Sequence, residues 1–127
     1  AKASQGLLAP YSNYGLKSVD VVAPGGAAPN DNLISAFAEN AQGEQLTGMS
    51  GTSMAAPLVS ATAALILELS PSMDYTKLKA ILMSSGEIVP ALQSKIASGR
   101  YLSPLAALEQ VKPSILQEPV LRFASVD

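Results

Sequence analysis

The chain has 127 residues, 48% of them hydrophobic and 14% charged, with a formal net charge of −2. That is one domain's length and too apolar for a disordered chain; with eight Lys and Arg it lacks the basic footprint of a nucleic-acid binder. It contains neither Cys nor His, which excludes disulfides, thiol nucleophiles, Cys-ligated metals and any Ser-His-Asp chemistry completed within the chain itself.

The opening AKASQGLLAP has one Lys and no apolar run, so it does not read as a targeting segment. Tyr11 to Gly15 reads as a turn, because Asn and Gly tolerate positive φ. Val19 to Ala23 is an apolar run stopped by Pro24-Gly25-Gly26, the pattern of a buried strand. After a loop over Ala27 to Asn32, Leu33 to Phe37 is a second short strand. Ala38 to Gly51 is a long polar loop, and such loops in compact domains tend to be functional.

The second half is helical. Thr52 or Ser53 begins a helix to about Leu69, where Ser70-Pro71 stops it. Asp74 caps a second helix, Tyr75 to Ser85, with Leu78, Ile81 and Leu82 on one side. Ser103-Pro104 opens a third helix to about Val111, ended by Pro113. The tail from Ser114 to Asp127 contains a strand-like stretch, Val120 to Val126. The apolar run from Met54 to Leu69 is broken by Pro57, Ser60, Thr62 and Glu68 and is shorter than a bilayer requires, so no membrane span is expected.

Around the first helix, Ser60, Thr62 and Glu68 point in different directions and form no polar stripe. A helix apolar on all sides must be covered on all sides. Two short strands and two further helices are too little to do so. An α/β core with a parallel sheet needs more strands, each returning through a crossover. The expected fold is therefore α/β with a sheet incomplete in this chain.

One segment is built for chemistry: Ser50-Gly51-Thr52-Ser53-Met54-Ala55-Ala56-Pro57. A Gly-punctuated loop brings Ser53 to a helix's first turn, where backbone N–H groups have no intrahelical acceptor and the dipole's positive end faces outward. Those conditions stabilise an oxyanion, so a hydroxyl there is placed to attack a carbonyl. Gly51 lets the loop and a substrate come close. Pro57 has no N–H for the Ser53 carbonyl, a broken local rule of the kind that gathers at functional sites.

These residues resemble the subtilisin-like serine proteases, the subtilases, whose nucleophile motif is G-T-S-M-A-x-P at the start of a buried central helix. Gly51, Thr52, Ser53, Met54, Ala55 and Pro57 match it, and ATAALIL at Ala61 to Leu67 continues like the family's helix. Upstream, YSNYG at Tyr11 to Gly15 and VDVVAPG at Val19 to Gly25 resemble the family's S-x-Y-G and V-D-x-x-A-P-G blocks. GRYLSPLAA at Gly99 to Ala107 resembles its closing glycine and last helix. One departure is Leu58, where the family often has His.

The resemblance implies the C-terminal portion of a three-layer α/β/α domain with a mostly parallel sheet over residues 1–112, and a tail, 113–127, outside it. It implies a serine endopeptidase acting on proteins or peptides. Ser53 is then the nucleophile and its own N–H half of the oxyanion hole, with Thr52 and Gly51 supporting the loop. Gly48, Met49 and Ser50 border the leaving-group side of the cleft. The catalytic Asp, the His and the oxyanion Asn belong to an N-terminal portion that this chain lacks, so that portion is the expected partner and the chain alone is expected to be inactive. A swapped homo-oligomer is another way to complete the sheet. No cofactor takes part in the chemistry and no metal site is assigned, although a structural calcium in the full domain fits the resemblance. A secreted or cell-surface location is the family expectation.

Each residue also has a plainer reading. Ser53 as a mere helix cap is the simplest, and a non-catalytic subtilase-like scaffold is the simplest alternative for the whole chain. Met54 is a core methionine by default. Asp20 reads as a structural hydrogen-bonding residue, Lys77 and Lys79 as a solvated helix face, and Tyr11 and Tyr14 as packing residues. Asp31, Glu39 and Glu44 show no EF-hand-like spacing and read as solvated loop charges.

Overall fold

A computed structural model describes residues 1–2, 7–27, 31–36, 43 and 46–111. Phe37, Glu39, Glu44 and the whole of 113–127, including the strand-like stretch 120–126, lie outside the described residues.

The elements run β1 (Leu33–Ala36), β2 (Leu46–Met49), α1 (Thr52–Leu69), α2 (Tyr75–Ser84), a 3₁₀ turn (Pro90–Leu92) and α3 (Pro104–Val111). β1 and β2 form an antiparallel hairpin in the register Leu33 with Met49 and Ala36 with Leu46. The loop expected up to Gly51 thus contains a strand. Its polar residues and Gly48 give no alternating pattern, and pairing with β1 is what makes it extended.

The Val19–Ala23 run is corrected the other way. It buries Val22 and Ala23 but is not a ladder strand. Val22 donates to the Arg100 carbonyl at 3.3 Å and its own carbonyl accepts from Leu102 at 2.7 Å. On the opposite side, Lys2 donates to Ala23 at 2.8 Å and accepts from Gly25 at 3.0 Å. Among the described residues, the three side-by-side segments share two isolated parallel bridges, Lys2 with Pro24 and Val22 with Tyr101. They are the parallel part of an α/β sheet in rudimentary form, with α1 and α2 making the crossover between the second and third.

Helix ends follow local chemistry. Pro104 stands at the first position of α3, and the Ser103 hydroxyl accepts from the Ala106 amide at 3.3 Å. Asp74 caps α2 through the Thr76 amide at 2.8 Å and also accepts from the Thr76 hydroxyl. Those two bonds, the hydroxyl first, hold its carboxyl below the ordinary 3.8. A carboxylate with a depressed folded pKa contributes stability that is complete above its unfolded value and is lost as pH falls through the folded one. The stability advantage of the wild type over Asp74→Asn should therefore shrink on acidification below about pH 4, as read by helix circular dichroism in urea. A pH-independent difference would contradict the cap's ionic character.

Two small cores result. Ile66, Ile81, Ala107 and Val111 join the three helices, with Leu78 and Leu82 of α2 facing inward as expected. Val22, Leu92 and Ile96 form the second core, between the 19–23 segment and the 3₁₀ turn. Lys79 is not simply solvated: it pairs with Asp20 at 2.9 Å, joining α2 to the 19–23 segment. Both side chains are about half exposed, so the pair contributes about 0–1 kcal/mol.

Of the 18 residues of α1 only Ala55, Thr62 and Ile66 are buried, and Leu65 is 45% exposed. Nine of the 18 residues of this apolar helix are exposed, which is consistent with a sheet incomplete in this chain. The helix is also longer than the run read from sequence, and its 18 residues reach the lower bound for crossing a membrane by length and composition. It packs against α2 and α3 through Ile66 and Leu69.

Candidate active site

α1 starts at a glycine, and the start defines the site. Gly51, the residue before the helix, has φ +155, which disfavours an L side chain, and it gives no side-chain cap. Ser53 is therefore not the helix's cap. Its residue is exposed, in the first turn. The amides of Met54 and Ala55 both donate to the Gly51 carbonyl, at 3.1 and 3.3 Å. Those of Thr52 and Ser53 have no acceptor among the described residues. Two free N–H groups at the positive end of a helix of about five turns form a site for developing negative charge.

Pro57 lies inside α1. Lacking an N–H, it leaves the Ser53 carbonyl without its i+4 donor. One turn later, the Thr62 hydroxyl donates back to the Leu58 carbonyl at 2.8 Å, so the side chain that interrupts the apolar run is satisfied within the helix.

The hairpin folds beside this helix start and leaves a cavity of about 570 Å³. Leu33, Ile34 and Met49 line its strand side; Ser53, Met54 and Leu58 line its helix side. Of the residues read as bordering the leaving group, Met49 thus faces the same cavity as Ser53. Gly48 and Ser50 do not line it. Gly48 pairs with Ile34 and its carbonyl accepts from the Asn32 side chain at 3.1 Å. Ser50 is an exposed link between β2 and the helix. Met54 is half-buried on the cavity, beside Gly51, and belongs to neither core, a departure from the core role expected of it.

Tyr11 departs from its plain reading. It is 42% exposed, and its hydroxyl donates to the Gly25 carbonyl at 2.7 Å and to the Gly26 carbonyl. Burial of the phenol, the neighbouring charge of Asp31 adding to it, raises its pKa above 10, against a bond from the Gly51 backbone that lowers it. Tyr14 is 68% exposed and does not pack. No sequence pattern marks Tyr11, because its acceptors are backbone atoms 14 and 15 residues away. Among the described residues, no three His, Cys, Asp or Glu stand together as a metal site would require.

The profile of the subtilase family matches residues 1–103. The subtilisin-like protease 1 of Plasmodium berghei (strain Anka) is 32% identical over 100 residues, covering 79% of this chain and 16% of that protein. The subtilisin-like protease 1 of Plasmodium falciparum (isolate 3D7) is 37% identical over 75 residues, 59% of this chain and 10% of that protein. The chain thus spans only a small part of the length of the curated relatives it matches.

Proposed function

The chain belongs to the subtilase family of serine proteases, and from that premise we propose that Ser53 is the nucleophile of a serine endopeptidase. One observation carries the reading: an exposed seryl residue in a helix's first turn, beside two unclaimed amides, on an apolar cavity. The reaction is acyl transfer. Ser53 Oγ attacks a peptide carbonyl as an imidazole takes its proton, and the Ser53 N–H is one donor to the tetrahedral oxyanion. The imidazole then gives the proton to the leaving nitrogen, the C–N bond breaks, and an acyl-enzyme ester remains. Water, deprotonated by the same imidazole, attacks the ester and frees Ser53.

The chain has no His, so the base comes from other polypeptide. We assign it, with the catalytic Asp and the oxyanion Asn, to an N-terminal portion of the same protease, which docks on the bare flank of α1 and the cavity beside Ser53. A swapped second copy would cover that surface but bring no base, since every copy lacks His. In this reading α1 is the core helix of the completed domain and does not cross a membrane. Substrates are proteins or peptides, nucleic acid is not a partner, no cofactor enters the chemistry, and any calcium in the full domain is structural. The protease acts outside the cell or at its surface.

A fluorophosphonate probe tests the assignment. It should label Ser53 when the N-terminal portion is present and leave the isolated chain essentially unlabelled. Equal labelling of the isolated chain would contradict the missing base. A folded complete domain that never labels would instead be a non-catalytic scaffold.

A further inference from the structure

Two backbone segments of the site, Gly25–Gly26 and Gly51, meet at one hydroxyl. The Gly25 carbonyl accepts the Gly51 amide at 2.8 Å, and the Gly51 carbonyl in turn holds the first two bonded amides of α1. The same Gly25 carbonyl accepts from Tyr11 Oη at 2.7 Å, and Oη also reaches the Gly26 carbonyl. Gly25 and Gly26 are both buried, and Gly26 sits against Ser50: a Cβ placed on it would lie 3.0 Å from the Ser50 Cβ. The residues immediately before the nucleophile's helix thus lean on Gly25 and Gly26, and Tyr11 fixes those two carbonyls from outside.

We propose that Tyr11 is a positioning residue for Ser53: its hydroxyl clamps the Gly25–Gly26 backbone, which orients the Gly51 amide and with it the loop that delivers the nucleophile. The inference rests on the reading of Ser53 as nucleophile. A hydroxyl has one proton to give, so the two carbonyls share it, and the clamp exists only while the phenol is protonated. Burial and the Asp31 charge keep it so over the ordinary pH range. A nucleophile's rate is sensitive to small displacements, whereas substrate held along other surfaces is less so. Loss of the hydroxyl therefore falls on kcat more than on KM.

The experiment compares wild type, Tyr11→Phe and a variant with a polyfluorinated tyrosine at position 11, each in the complete catalytic domain. Wild type is checked first by fluorophosphonate labelling of Ser53; absence of labelling there is a failure of the nucleophile reading, not of the clamp. Tyr11→Phe is expected to lower kcat and the labelling rate about fivefold with KM changed less than twofold. The fluorinated phenol ionises near neutral pH and keeps the side chain's outline. Its kcat should fall as pH rises through that ionisation, a limb the wild type lacks. That variant decides the matter even if Tyr11→Phe fails to fold. Unchanged kcat in a folded Tyr11→Phe, or a fluorinated variant with the wild-type pH profile, would overturn the clamp and leave Tyr11 a structural residue.

Discussion

Ser53→Ala should abolish peptide hydrolysis by the complete domain, lowering kcat on the order of 10⁶-fold, the scale that holds for the nucleophile of subtilisin itself. The loss should come with little change in KM and almost none in stability. The cap of α1 is the Gly51 backbone, with no side-chain hydrogen bond, and Ser53 is exposed. Exposed positions without special contacts tolerate substitution within about 0.5 kcal/mol. A serine that merely capped the helix behaves in the opposite way: its loss costs about 1 kcal/mol of stability and leaves activity in place. Parallel measurement of kcat and the urea midpoint separates the two. Retained hydrolysis in the alanine variant would remove Ser53 from the chemistry.

The largest expected effect on stability lies at Gly86, just after α2. A Cβ built there falls 1.5 Å from the Tyr101 carbonyl oxygen and 2.7 Å from its carbon. Both are backbone atoms, so no rotamer change relieves the clash. The strand around Tyr101 cannot easily move either. The Leu102 amide is bonded to the Val22 carbonyl and the Val89 amide to the Gly99 carbonyl, at 2.7 and 2.9 Å. The Arg100 guanidinium also donates to the Gly86 carbonyl. Lys2 adds a cation over the Tyr101 ring, 4.5 Å from its centre. Gly86→Ala must therefore part α2's exit from the 100–102 segment. That should cost about 3 kcal/mol or more, a large share of an ordinary domain's stability. The urea midpoint would drop steeply or soluble protein would be lost. A Gly86→Ala protein with the wild-type midpoint would show that the crossing at Tyr101 is looser than its geometry.

These two substitutions divide function from fold. Ser53 is exposed at a helix start and its side chain makes no hydrogen bond among the described residues, as the proposed reacting role needs. Gly86 has no side chain at all, and the fold depends on that. The Tyr11 clamp lies between, a structural bond whose consequence is read in kcat.

Much of this was open to a reader of the residues alone. The three helices and their starts came from local rules: Asp74 and Ser103 as caps, Pro104 at a first turn, Pro71 as a stop. The loop proposed to carry the nucleophile was legible because glycine, hydroxyls and a misplaced proline occur together before an apolar run. The absence of His showed, without coordinates, that this chain supplies no imidazole. The sheet's incompleteness was already implied by an apolar helix with too little to cover it.

Tertiary structure decided what depends on partners distant in sequence. β2 is extended because β1 pairs with it, not because Leu46–Met49 has a strand's composition. Val19–Ala23 reads as a strand yet achieves single bridges with its neighbours among the described residues. The Asp20–Lys79 pair, the meeting of Met49 and Ser53 on one cavity, and the Tyr11 bonds to Gly25 and Gly26 are all of this kind. Local sequence encodes where a chain turns and which face is apolar, since those are set by neighbours a few residues away. Which carbonyl a hydroxyl finds is set only when remote segments have packed.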